Sequence, residues 1–117
     1  MSSASGLKAA PASSAYCASK AAVILFSKSV ALECAADGSG IRVNVVAPGG
    51  VKTPMWAKTA GAAEMTESAT WKAPPSAPIG KRFAEPDEIA RAIAFLASNE
   101  AAYVTGAVLA VDAGYSA

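Results

Sequence analysis

The sequence predicts an α/β fold in which short parallel strands are connected through a helix. Three observations carry that expectation. A long Ala-rich apolar run opens behind Ser13-Ser14, a short β-branched run from Ile41 to Ala47 follows a glycine-containing stop, and the order helix then short apolar strand repeats between Glu85 and Val111. Helices alternating with strands in this way imply a parallel sheet with right-handed crossovers.

Taken in order, Met1 to Ala12 is rich in Ser, Ala, Gly and Pro and reads as loop. Ser13 or Ser14 can cap the helix behind it. That helix places Val23, Phe26 and Val30 at helical spacing and runs to about Ala36, where Asp37-Gly38-Ser39-Gly40 stops it. Its small residues Ala18, Ala21 and Ala22 would admit a close backbone neighbour. Ile41-Arg42-Val43-Asn44-Val45-Val46-Ala47 has the β-branched character of a strand covered on both faces, and Pro48-Gly49-Gly50 ends it. Val51 to Pro78 has no clear period and carries Met55, Trp56, Met65 and Trp71 among polar residues. It is either a lid or binding segment, or a helix packing its aromatics on the core. Glu85-Pro86-Asp87-Glu88 starts a second helix, with proline first and acids in the first turn. Ile89, Ala92, Ile93 and Leu96 mark its apolar face, and it should end near Ser98-Asn99. Ala107 to Val111 is the last strand, followed by Asp112-Ala113-Gly114.

Composition narrows the function classes. With 117 residues, 53% hydrophobic and 16% charged, the chain is one domain or part of one. A formal net charge of +1 gives no electrostatic case for nucleic acid or an anionic membrane. No apolar run is expected to be long enough to span a bilayer, and the N-terminus does not have the pattern of a signal peptide. Cys17 and Cys34, with no histidine in the chain, cannot make a usual zinc site and are expected to be buried thiols in a reducing compartment. The expectation is a soluble, cytoplasmic protein without a metal.

The chemistry concentrates in Ser13-Ser14-Ala15-Tyr16-Cys17-Ala18-Ser19-Lys20. Residues four apart on a helix share a face, so the Tyr16 phenol and the Lys20 ammonium stand one turn apart. Two charges about 4 Å apart at an effective dielectric of ~20 interact by roughly 4 kcal/mol. At about 1.4 kcal/mol per unit, that lowers a phenol from near 10 by two or three units. A tyrosine so tuned can pass a proton to or from an alcohol oxygen. The alternative is an ordinary pair on a solvated helix. Against that alternative, the same face continues through Val23, Ile24 and Ser27, so Lys20 tops an apolar stripe and either snorkels or has a specific partner. In parallel sheets, ligands bind outside the carboxyl ends of the strands. The start of the first helix and the segment Pro48 to Thr53 both belong to that rim.

Together these residues resemble the short-chain dehydrogenase/reductase family. Tyr16-Cys17-Ala18-Ser19-Lys20 matches its Tyr-x-x-x-Lys motif, and Ser3, within Ser2-Ser3-Ala4-Ser5-Gly6, falls where the family's substrate-orienting serine stands. Arg42-Val43-Asn44 and Pro48-Gly49-Gly50-Val51-Lys52-Thr53-Pro54 resemble its strand and its Pro-Gly-x-x-x-Thr loop. Pro78 to Arg82, Glu85 to Ala90, and Tyr103-Val104-Thr105-Gly106 through Asp112-Ala113-Gly114 are similar to its C-terminal segments.

The resemblance implies the C-terminal part of a Rossmann-like doubly wound parallel sheet, in the order helix–strand–lid–helix–strand. It also implies an NAD- or NADP-dependent oxidoreductase acting on a small-molecule alcohol or carbonyl, and a homo-oligomer when the full domain is present. Tyr16 would be the acid/base, Lys20 would hold the nicotinamide ribose and tune the phenol, and Ser3 would bond the substrate oxygen. Pro48, Gly49, Val51 and Thr53 would line the nicotinamide. Ser2 and Ser3 read alternatively as loop polars, and Thr53 as a cap for a helix after Pro54. Residues 51–78 would be the substrate lid.

The family's glycine-rich phosphate loop, its Asn-Asn-Ala-Gly segment and the helix bearing its proton-relay asparagine have no counterpart in these residues. Asp112-Ala113-Gly114 stands in place of Asp-Gly-Gly. Residues 1–117 are therefore expected to be a C-terminal fragment of such a domain, its first strand left with an unpaired edge and exposed apolar surface. The alternative to a catalytic half is a non-catalytic remnant or association module.

Overall fold

The computed structural model describes residues 1–55 and 82–117. A 3-10 turn at Ala4–Gly6 leads to α1 (Ser14–Ala36), then β1 (Val45–Pro48), α2 (Pro86–Ala97), a second 3-10 turn at Asn99–Ala101 and β2 (Val108–Val111). Among the described residues the sheet has two parallel strands, with Val45 opposite Val108 and Pro48 opposite Val111. The expected parallel α/β order is present.

α1 begins where the serines predict, but by a different device. Ser13 stands at the N-cap with no side-chain cap bond, and its carbonyl accepts the Cys17 N–H at 2.8 Å. At the other end Gly38 takes φ +68°, a left-handed conformation open to glycine at little cost. The expected face is borne out: Ile24 is buried, and Lys20, Val23 and Ser27 are half-buried. The alanine stripe is not, because Ala18, Ala21 and Ala22 are exposed. Backbone instead approaches the helix at Lys20 and Ala31. A Cβ on Gly6 would lie 2.8 Å from the Lys20 carbonyl carbon, and one on Gly106 would lie 3.8 Å from Ala31 Cβ. Cys17 and Cys34 are free and half-buried, less enclosed than expected.

By length and composition α1 could cross a bilayer, which the expectation of no spanning run did not anticipate. A helix with so much apolar surface is equally suited to the core of a soluble protein.

β1 is shorter than the β-branched run suggests. Residues 42–44 are drawn into side-chain bonds that replace a regular ladder. Asn44 donates to the Val104 carbonyl at 2.8 Å and accepts the Ala107 N–H at 3.0 Å, while Thr105 Oγ1 accepts the Val43 N–H at 3.1 Å. All four strand residues are buried. Val46 joins Ile89, Leu96 and Ala101 in the core between sheet and α2, and strand alternation sends Val45 and Ala47 to the opposite face. The expected bare edge is corrected only in part, since β1 pairs with β2 alone in the sheet of the described residues. Ser2 N–H donates to the Val46 carbonyl at 2.9 Å, so the N-terminal segment covers part of that edge. Exposed apolar side chains are most concentrated on α1, at Leu25, Phe26 and Leu32 (69, 71 and 73% exposed), while Ile41, at the start of the expected strand run, is exposed as well.

α2 opens as its sequence requires. Pro86 occupies the first turn, and the Glu85 N–H donates to Glu88 Oε2 at 2.8 Å. At its other end, Arg42 donates to the carbonyls of Leu96 and Ser98 at 2.8 and 3.1 Å, and to Val104 at 3.2 Å. α2 has no basic residue in its own last turn, so a side chain from the approach to β1 closes it.

Candidate active site

The direction of α1 follows from its ends. Lys20 lies beside Ser2, whose N–H reaches Val46, the β1 residue opposite Leu109 of β2. Ala31 lies beside Gly106, just before the amino end of β2. α1 therefore runs antiparallel to the strands, and Tyr16, one turn before Lys20, stands at their carboxyl rim. The rim is closed on another side by Lys8, which donates from Nζ to the Tyr115 carbonyl at 3.0 Å and stands 5.4 Å from the centre of its ring.

Tyr16 and Lys20 are brought together as the spacing predicts. The Lys20 ammonium sits 5.5 Å from the centre of the Tyr16 ring, a cation–π arrangement. Tyr16 is 43% exposed, so the residue is accessible to a ligand.

Ser3 caps the first 3-10 turn: its Oγ accepts the Ser5 N–H at 3.2 Å, and the described residues offer its own proton no acceptor. Its neighbour Ser2 is buried, and Ser2 Oγ–H donates to the Lys20 carbonyl at 2.7 Å. Ser3 is thereby held one residue from a bond to the helix turn that carries Lys20.

Pro48 is the last residue of β1, and the Gly49 N–H donates to the Val111 carbonyl at 3.1 Å. A Cβ on Gly49 would come within 2.9 Å of Asp112 Cα, so only glycine lets the two strand exits pass this closely. Val51 forms a parallel bridge with Ala84, flanked by bonds from Ala84 N–H to the Gly50 carbonyl and from Lys52 N–H to the Ala84 carbonyl. Lys52 pairs with Glu85. Thr53 is half-buried and precedes helical backbone that starts at Pro54, the position a cap would take, but its hydroxyl bonds no described residue. Most of the expected lid, including Trp56, Met65 and Trp71, lies outside the described residues.

Residues 1–116 match the family model described as enoyl-(acyl carrier protein) reductase. The chain belongs to the short-chain dehydrogenase/reductase family. It is 48% identical over 115 residues to an uncharacterized short-chain type dehydrogenase/reductase of Sinorhizobium fredii, covering 98% of this chain and 20% of that protein. It is 44% identical over 117 residues to the NADP-dependent (R)-specific alcohol dehydrogenase of Lentilactobacillus kefiri, covering 100% of this chain and 44% of that one. A short chain dehydrogenase family protein from Francisella tularensis superposes with a TM-score of 0.80 at 34% identity, over 97% of this chain and 48% of the other. The chain thus spans less than half the length of each.

Three contributors at this rim escaped the sequence reading. Gly6 and Asp112 act through close backbone approach, which no residue pattern announces. Lys8 had a weak signal, as the one charge in an otherwise uncharged opening loop.

Proposed function

We propose that the chain carries the catalytic half of an NAD- or NADP-dependent oxidoreductase interconverting a secondary alcohol and a carbonyl. The observation that carries this reading is the stacked Tyr16–Lys20 pair, open at the carboxyl rim of the strands and tied through Ser2 to the turn bearing Ser3. Tyr16 gives its phenolic proton to the substrate oxygen during reduction and takes it back during oxidation. Ser3, with a proton to donate, holds that same oxygen. Lys20, beside the ring, would hold the ribose hydroxyls of the cofactor.

The donor set fits the nicotinamide-ribose end of the cofactor. The Lys20 ammonium, the Tyr16 phenol, the Thr53 hydroxyl and the Pro48, Gly49 and Val51 backbone are donors and acceptors of the kind a ribose diol and a carboxamide need. When bound, the nicotinamide supplies or accepts the hydride. The pyrophosphate end has no comparable fit, because the sequence holds no Gly-x-Gly-x-x-Gly turn. Residues 1–117 are on this reading the C-terminal portion of a cytoplasmic enzyme domain, with 51–78 over a small-molecule substrate. The homo-oligomer would form through the apolar face of α1.

A second reading is favoured by that same face: with Leu25, Phe26 and Leu32 exposed, the chain alone would serve as an association module. Titration of the 117-residue chain with NADH and NADPH, followed by nicotinamide fluorescence, separates the two. Saturable binding in the micromolar range supports the catalytic half; no binding supports the association module.

A further inference from the structure

We infer that Ser2 is a positioning residue for the proposed acid/base pair, setting the spacing between the Ser3 hydroxyl and the α1 turn that carries Tyr16 and Lys20. This rests on the catalytic reading above. Ser2 is the only polar side chain among the described residues that is buried, at 5% exposure. A buried hydroxyl is costly unless it is bonded. This one donates to the Lys20 carbonyl at 2.7 Å, while the Ser2 backbone N–H donates to the Val46 carbonyl at 2.9 Å. One residue therefore pins helix and strand together immediately before Ser3.

A second feature converges on the same peptide group. A Cβ on Gly6 would fall 2.8 Å from the Lys20 carbonyl carbon, 2.9 Å from its oxygen and 2.9 Å from Ser2 Oγ. The glycine lets the turn close onto the helix, and the serine fixes where it closes. Both ends of the Ala4–Gly6 turn thus register against Lys20, the residue whose side chain faces the Tyr16 ring. Without the hydroxyl, the turn keeps its strand bond but loses its bond to the helix. Ser3 and Tyr16 can then slide relative to each other. A misplacement of about 1 Å between reacting groups can cost on the order of a hundredfold in rate.

The test compares Ser2→Ala with Tyr16→Phe and the unaltered sequence, all in the protein that carries this chain. NADPH and NADH are used with cyclohexanone and 2-butanone as probes, and cofactor affinity and thermal melting are measured alongside. The expected result for Ser2→Ala is a fall in kcat of about tenfold or more, with cofactor affinity kept within about twofold. Unchanged kcat overturns the inference, and so does a parallel loss of kcat and cofactor affinity, which marks a merely structural role. Should Ser2→Ala not fold, Ser2→Cys keeps the volume with a weaker donor. A severalfold fall in kcat at retained affinity then supports the inference, and unchanged kcat overturns it. Absence of turnover in the unaltered protein, or full turnover by Tyr16→Phe, sinks the underlying catalytic reading instead.

Discussion

Ala113 holds a φ of +56°, a left-handed backbone that costs an L-residue with a Cβ roughly 1–2 kcal/mol. It is kept there by its neighbour. Asp112 accepts the Gly114 N–H on one carboxylate oxygen and the Ser116 N–H on the other, both at 3.0 Å, fixing the turn that follows β2. The family places glycine where this chain has Ala113, and the geometry explains why glycine suits the site. Replacing Ala113 by glycine should therefore stabilise the chain by roughly 0.5–1 kcal/mol, since relieved strain exceeds the added chain entropy. An upward shift in denaturation midpoint checks this; a downward shift contradicts it. At this scale the sequence was informative where chemistry depends on side-chain type and local spacing. Tyr16 and Lys20 meet because a helix brings residues four apart together. Gly6 and Gly49 were opaque, because their value lies in the Lys20 and Asp112 backbones they approach, which belong to distant parts of the chain.

At the scale of elements, both helices and β2 were legible to within a residue or two and β1 was not. α1 and α2 carry their own stop and start signals, whereas β1 lost its first half to the side-chain bonds of Asn44 and Thr105. α2 shows how a start signal works. Arg82 donates to both oxygens of Glu88 at 2.6 and 2.7 Å, and Glu88 in turn accepts the Glu85 N–H. The Arg82 bond, followed by the backbone bond at Glu85, holds the Glu88 carboxyl down to about 2 from 4.5. The same contact raises the Arg82 guanidinium. Because the folded carboxyl binds its proton less readily than the unfolded one, its contribution is complete above about 4.5 and is lost as pH falls through about 2. NMR titration should give Glu88 a midpoint near 2, with amide exchange at the start of α2 quickening as the pH drops toward it. Glu88→Gln should remove that dependence. A midpoint near 4.5 would refute the assigned contact.

For the molecule as a whole, parallel order and antiparallel α1 place three separated segments at one rim: the Ser2–Lys8 loop, the start of α1 and the exit of β1. For the start of α1 and the exit of β1 that convergence was readable from element order, since the carboxyl end of a parallel sheet is where loops of different origin gather; the place of the Ser2–Lys8 loop was not. How the chain covers its first strand was not readable. A loop-like opening of small residues gave no sign that Ser2 would bond Val46 and occupy the strand's edge. Open apolar surface is most concentrated on α1, at Leu25, Phe26 and Leu32, which suits a helix that packs against a further surface. The central claim is that Tyr16 moves the proton. It is tested most directly by Tyr16→Phe in the protein that carries this chain, with turnover and nicotinamide binding measured on the same preparation. The account predicts a loss of turnover of about a hundredfold to ten-thousandfold with cofactor affinity retained; turnover at the unaltered rate would contradict it.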